Sequence, residues 1–163
     1  SDVCSSDLQR RCKMEEGVRE EVGFQTFCNE ALRLKEMDPR TYSPLALAYI
    51  GDAVYELIVR TMVINHGSIQ VNKMHKKSAS LVNAGTQAEM IRLILEELTE
   101  EETAVYKRGR NAKSVTTAKH ATVVDYRTAT GFEALCGYLY LTGRLERLVT
   151  LISHGFEKIG ELE

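Results

Sequence analysis

Two carboxylates stand inside segments that are otherwise apolar. Asp52 follows Gly51 in the apolar segment 45–57, and Glu133 lies in the apolar segment 131–137. A carboxylate buried on a helix needs a partner, and a structural acid is the alternative interpretation for each residue alone. If the two helices pack side by side, the like charges favour a bound divalent cation. Magnesium is the cation expected, because it prefers hard oxygen ligands together with water and phosphate oxygens.

The basic residues are concentrated in two stretches, although the net charge is only −2. Neither stretch contains an acid. The first holds Lys73, Lys76 and Lys77, and the second holds Lys107, Arg108, Arg110, Lys113 and Lys119. Such asymmetry indicates an anion-binding face, with solvated basic turns as the alternative. A magnesium site beside a basic face predicts hydrolysis of phosphoesters.

The composition predicts one globular domain. The chain has 163 residues, of which 44% are hydrophobic and 27% charged, so it can bury a core without disulfides or metal. Charged residues interrupt its most apolar stretch, which excludes a transmembrane span. The cysteines include no Cys-x-x-Cys pair, so neither a zinc site nor a disulfide framework is expected. Reduced thiols point to the cytoplasm.

Helical spacing of apolar residues and only two prolines predict an all-α fold. A helix over 17–36 should stop before Pro39, and the next should begin with Ser43 as N-cap. Gly109 to Thr122 is predicted to be a loop. The predicted helices after the first cover 44–65, 70–97 with a break near 83–85, 99–108, 125–141 and 144–159.

The N-terminal residues 1–14 lack periodicity, and the sequence begins without methionine. We expect them to be a non-native or disordered extension and residues 15–163 to form a single catalytic domain.

The two acidic segments resemble the signature helices of the ribonuclease III family. That family carries Gly-Asp-Ala-Val-x-Glu-Leu on one helix and Glu-Ala-Leu-x-Gly-x-x-Tyr-Leu on another. The first motif is matched by Gly51, Asp52, Ala53, Val54, Glu56 and Leu57, and the second by Glu133, Ala134, Leu135, Gly137, Tyr140 and Leu141. Three family carboxylates are absent, because their positions fall on Leu45, Ala48 and Thr130.

These departures resemble the compact bacterial branch, Mini-ribonuclease III, which consists of the catalytic domain alone. Its pattern also covers the segments 46–53, 75–78, 107–114 and 126–135 of this chain. The likeness therefore spans residues 45 to 141 in four ordered blocks, and residues 1–36 contribute nothing to it.

The resemblance implies an all-helical ribonuclease III endonuclease domain that acts as a homodimer. Such an enzyme cuts both strands of double-stranded RNA and leaves 5′-phosphate ends. The branch is associated with maturation of the precursor of large-subunit (23S) ribosomal RNA. The resemblance implies that Asp52 and Glu133, at the positions of the family's acidic residues, are the catalytic acids that hold Mg²⁺.

Residues after Leu141 are too few for a separate double-stranded RNA-binding domain, so the domain itself should bind the duplex through backbone and shape. Glu56 and Thr130 are possible orienting groups near the metal, with an ion pair to Arg60 and a bond within the helix as the respective alternatives. The expected RNA-binding residues are Lys76, Lys77, Lys107, Arg108, Arg110, Asn111, Lys113 and Lys119.

Two alternatives stay open at this point. The missing carboxylates suggest an inactive, ribosome-associated RNA-binding module of the same fold. A helical dimeric scaffold without RNA is the other, and it leaves the basic stretch 107–119 unexplained. Retention of both Asp52 and Glu133 in apolar surroundings favours the enzyme, because a pure binder gains nothing from the burial cost.

Overall fold

The computed structural model describes residues 23–67, 70–113 and 122–162. Within these ranges the structure is all-α, as the sequence predicts, and contains no strand. The helices are α1 (Phe24–Ala31), α2 (Pro44–Asn65), α3 (Val71–Val82), α4 (Ala84–Ile94), α5 (Glu100–Asn111), α6 (Val123–Leu141) and α7 (Leu145–Lys158). Short 3₁₀ turns occupy Pro39–Thr41 and Leu95–Glu97.

The chain divides into two compact units, with the boundary between Met37 and Asp38. Helix α1 belongs to the first unit and ends at Ala31, five residues before the predicted end at 36. The reason is local: Arg33 adopts a φ of 51°, a left-handed conformation that terminates the helix. Residues 1–14 and the predicted start of this helix at 17 lie outside the described ranges, so the predicted extension and domain limits remain predictions.

Helix α2 begins and ends where the sequence predicts. The Ser43 hydroxyl accepts a hydrogen bond from the Ala46 amide at 3.1 Å, and Pro44 occupies the first turn, where its missing N–H costs nothing. Beyond Asn65, Gly67 takes a φ of 116°, which favours glycine and reverses the chain.

The predicted break near residues 83–85 is a single residue, Asn83, that ends α3 and caps α4. Its side-chain oxygen accepts from the Thr86 amide at 2.9 Å. Helix α5 begins with the predicted capping box, in which Thr99 and Glu102 each bind the other's backbone amide.

Helix α5 is longer than the sequence predicts. The expected loop from Gly109 is wrong over its first three residues, because Gly109, Arg110 and Asn111 form the last helical turn. Gly109 makes this possible: a Cβ there would lie 2.7 Å from the Ala134 Cβ, so only glycine lets α5 continue while touching α6.

Helix α6 forms the centre of the second unit. Most of its side chains are buried, and it packs against α2, α4, α5 and α7. The Tyr55 ring on α2 meets the Phe132 ring edge to face at 5.3 Å and stacks beside Phe156 of α7. This apolar layer fixes the α2–α6 pair that carries both acidic residues. Among the helices of the described ranges, none is long and apolar enough to cross a membrane.

Candidate active site

Two glycines bring the backbones of α2 and α6 into direct contact. A Cβ placed on Gly51 would lie 1.7 Å from the Glu133 carbonyl oxygen, and one on Gly137 would lie 2.0 Å from the Leu47 carbonyl oxygen. Real Cβ atoms do not approach backbone so closely, so any side chain here would push the helices apart. Because Asp52 follows Gly51 directly, this contact places Asp52 beside the turn that carries Glu133.

The Asp52 carboxylate acts electrostatically on the Glu133 carboxyl group. Burial, and after it the Asp52 carboxylate, raise the pKa of Glu133 to about 7, while a hydrogen bond from Gln87 opposes the rise. Asp52 is exposed at the surface, and its pKa is raised by partial desolvation and by the nearby Glu56 carboxylate. Paired carboxylates with raised pKa values form a site of concentrated negative charge that a cation would relieve.

The donor set fits a hard divalent cation. Asp52 and Glu133 offer only carboxylate oxygens, and the Oε1 atom of Gln87, which touches Glu133 through its other amide atom, is buried without a hydrogen-bond partner. In the described residues no group of three or more histidine, cysteine or acidic side chains is arranged to hold a metal. Mg²⁺ suits such a site, because it keeps several waters and takes one or two carboxylates.

The two candidate orienting groups are bonded elsewhere. Glu56 accepts a hydrogen bond from the Arg60 Nε at 2.9 Å, which is the i,i+4 pair given above as its alternative role. The buried Thr130 hydroxyl donates to the Tyr126 carbonyl oxygen at 2.9 Å, within its own helix. Their suggested roles near the metal find no support in these contacts.

Most of the predicted RNA-binding side chains reach solvent. Lys77 is exposed too, but its ammonium pairs with Glu161 at 2.5 Å, and the Arg110 guanidinium lies 5.7 Å from the centre of the Tyr106 ring. Lys119 falls outside the described residues. The exposed members are Lys76, Lys77, Lys107, Arg108, Asn111 and Lys113.

The end of α5 brings basic residues to the acidic helix. Gly109 packs on α6 against Ala134, one residue from Glu133, so Lys107, Arg108 and Arg110 flank a direct contact with the turn that carries the acid. The sequence analysis placed Arg110 in a loop, whereas it lies in the last turn of α5.

Gln87 is the residue of the site that sequence reasoning missed. It is 1% exposed, and its Nε2 donates to the Val82 carbonyl oxygen at 2.8 Å and to the Glu133 Oε1 at 3.2 Å. A glutamine in an amphipathic helix carries no chemical signal by itself. The sequence predicts only a helix break near 83–85, and that break does not show that the Gln87 side chain turns inward.

The family model for the ribonuclease III domain matches residues 45–144, which include both acidic helices and the basic end of α5. The chain belongs to the ribonuclease III family. Ribonuclease III proteins are endoribonucleases, and this chain carries their domain over most of its length.

Curated relatives in this family bear the name Mini-ribonuclease 3. That of Enterococcus faecalis is 48% identical over 126 residues, covering 76% of this chain and 96% of the relative. That of Clostridium tetani is 48% identical over 132 residues, covering 78% and 87% respectively. The crystal structure of protein FN1578 from Fusobacterium nucleatum is 33% identical in sequence and matches with a TM-score of 0.68. The match covers 78% of this chain and all of that one. The predicted family and its compact branch are therefore confirmed.

The raised pKa of Glu133 predicts how the stability of this ribonuclease III domain depends on pH. A carboxyl group with a pKa near 7 in the fold and about 4.5 when unfolded binds more protons in the folded state between these values. The free energy of unfolding therefore falls as pH rises through this window. We expect Glu133→Gln to stabilise the protein above pH 7 by up to about 3 kcal/mol and to change little below pH 4.

Urea denaturation of both proteins at pH 4, 6 and 8 measures this difference. Glu56→Gln is the control, because its partly exposed ion pair is worth under about 1 kcal/mol at any pH. A Glu133→Gln protein no more stable than wild type at pH 8 would contradict the burial of charge at this site.

Proposed function

We propose that this ribonuclease III protein is a magnesium-dependent endoribonuclease that hydrolyses phosphodiester bonds of double-stranded RNA. Asp52 and Glu133 are its catalytic acids and the ligands of Mg²⁺. The observation that supports the proposal is the glycine contact between α2 and α6, which sets Asp52 beside the turn that carries Glu133 inside a ribonuclease III domain.

Each acid has a distinct task. Glu133 is partly buried and fixed by Gln87, so it anchors the cation, whereas the exposed Asp52 faces the solvent from which a phosphate approaches. Bound Mg²⁺ supplies Lewis acidity at the phosphate and lowers the pKa of water. Water is the nucleophile in this hydrolysis and the 3′ oxygen is the leaving group, so each cut leaves a 3′-hydroxyl on one fragment and a 5′-phosphate on the other.

The end of α5 and Lys76 on α3 contact the RNA in this proposal. A-form RNA presents phosphates and 2′-hydroxyls on its accessible surfaces, so charged and amide side chains at a fixed helix terminus suit backbone recognition. Lys77 contributes less, because binding a phosphate would cost it the ion pair with Glu161.

We expect Lys113→Ala to weaken binding of a duplex about five-fold, the equivalent of about 1 kcal/mol, and to reduce the slope of affinity against salt by about 1. The side chain is exposed and carries one phosphate contact in this proposal, so the cleavage rate at saturating RNA should not change. Fluorescence anisotropy across a salt series measures both quantities. Lys77→Ala is the matched control with a smaller effect, and equal losses in the two variants would contradict this surface.

A homodimer is the assembly that this proposal includes. Four large apolar side chains lie exposed along one face of α2, on the helix that carries Asp52, and exposed apolar faces of this kind mark association sites. They are Leu45, Tyr49, Leu57 and Ile64, exposed by 39, 84, 66 and 62%. A second copy seated on this face would give the assembly two active sites, one for each strand of a duplex.

We expect wild type to sediment as a dimer at micromolar concentration and Leu57→Glu to sediment as a monomer, because a carboxylate cannot be buried in an apolar interface without a partner. Analytical ultracentrifugation measures the mass. The outward-facing Val149→Glu on α7 is the control and should remain dimeric. A monomeric wild type would contradict this part of the proposal.

The precursor of 23S ribosomal RNA is the natural substrate we propose, with the bacterial cytoplasm as its compartment. Support comes from the Mini-ribonuclease 3 relatives, since that branch is the one associated above with large-subunit RNA maturation. Processing of precursor transcripts in a strain depleted of this protein tests it.

One assay tests the proposed activity. Purified protein is incubated with a perfect RNA duplex and with each single strand, with Mg²⁺ and with chelator. Cleavage of the duplex alone, only with Mg²⁺, is expected. Binding of the duplex without cleavage in Mg²⁺ or Mn²⁺ would overturn the enzyme in favour of an RNA-binding module, and no binding at low salt would favour a scaffold.

A further inference from the structure

The side chain of Gln87 ties three helices together at the acidic site. Its Nε2 donates to the Val82 carbonyl oxygen at the end of α3 and to the Glu133 Oε1 on α6, while Gln87 itself lies in the first turn of α4. Its own turn is fixed by the Asn83 cap. The amide is therefore held at a defined point against the carboxylate.

The two acceptors determine which way the amide faces. If the amide were rotated by half a turn, Oε1 would face two oxygen acceptors and the donor would be lost. In the observed orientation Oε1 is buried with no hydrogen-bond partner. A buried polar atom left unpaired destabilises a fold, so packing alone would favour an apolar side chain at this position.

We infer that Gln87 is a positioning residue of the active site, whose buried amide holds the Glu133 carboxylate in the orientation that binds the cation. This inference rests on the proposed function for its role in cleavage. In longer ribonuclease III enzymes, additional carboxylates surround the metal. In this chain, the Gln87 amide would take over part of their role in arranging the metal site. Residues that orient metal ligands through hydrogen bonds change affinity or activity about 10- to 100-fold when replaced.

The test replaces Gln87 by Met, which keeps its length and removes the amide, and by Leu as a second variant without an amide. We expect both to lower kcat on duplex RNA about 10- to 100-fold at saturating Mg²⁺ while KM for the duplex stays within about two-fold. In calorimetric titration without RNA, their affinity for Mg²⁺ should fall about ten-fold. Thr86→Val is the matched control. Thr86 lies in the same turn of α4 as Gln87, but its hydroxyl donates to the Ser80 carbonyl oxygen and not to Glu133.

The two readouts separate this inference from the proposed function. If wild type binds Mg²⁺ more tightly than Gln87→Met but cleaves no duplex, the proposed function fails and the positioning role stands. If wild type cleaves the duplex and both variants retain its kcat and Mg²⁺ affinity, the positioning role is overturned. Losses equal to those of Thr86→Val, or unfolding of both variants, would overturn it as well, because either result assigns Gln87 to structure alone.

Discussion

Asp52→Asn and Glu133→Gln are each expected to lower the rate of duplex cleavage by about a thousand-fold, or about 4 kcal/mol of transition-state stabilisation. Each substitution keeps the shape of the side chain and removes the negative charge that holds Mg²⁺. Asp52 is exposed and Glu133 is only partly buried, so neither amide disturbs the core. Single-turnover cleavage at saturating protein measures the chemical step directly.

Binding should survive both substitutions. Removing a carboxylate from a site that receives phosphates reduces repulsion, so affinity for the duplex in the absence of metal should stay equal or rise. Glu56→Gln is the control on the same helix, because its carboxylate pairs with Arg60 and should change the rate less than about three-fold. If Glu56→Gln inactivates the enzyme as strongly as Asp52→Asn, the assignment of ligands is wrong.

Gly51→Ala is expected to lower the free energy of unfolding by more than about 3 kcal/mol and to abolish cleavage even where the protein still folds. The added methyl group would lie 1.7 Å from the Glu133 carbonyl oxygen and 2.6 Å from the Gly137 amide nitrogen. Both contacts are to backbone, which cannot rotate away as a side chain does. Relief requires α2 and α6 to separate, which pulls Asp52 from Glu133.

Thermal and urea denaturation measure the stability loss. Gly85→Ala in α4 is the matched control, since its methyl group would meet only the Asn83 side chain, at 3.2 Å, and alanine favours helix. It should be neutral or slightly stabilising. A Gly51→Ala protein with the stability and activity of wild type would show that the two helices do not touch as described.

The acidic pair could be predicted because it leaves a signal in the sequence. Asp52 and Glu133 stand out from apolar surroundings, and small residues beside them allow close approach of helices. Capping residues also leave a local signal, so the starts of α2 and α5 agree with the structure. Each of these features depends on residues within a few positions of one another.

Features that depend on distant residues could not be predicted. Gln87 reaches a carboxylate 46 positions away, and the buried Glu102, predicted only as a capping residue, also pairs with Arg147 at 2.9 Å. Helix α5 extends past its predicted end because Gly109 fits against α6, a contact that no local pattern reveals. The Gln87 contact, the Glu102–Arg147 pair and the end of α5 all depend on packing between residues that are far apart in the sequence.

The double variant Asp52→Asn with Glu133→Gln tests the central claim most directly, because residues that act as one unit have non-additive effects on rate. With both acids holding the same cation, single-turnover cleavage by the double variant should be no slower than by the slower single variant. Losses that multiply, about a million-fold in all, would show that the two carboxylates act independently and would contradict a shared metal site.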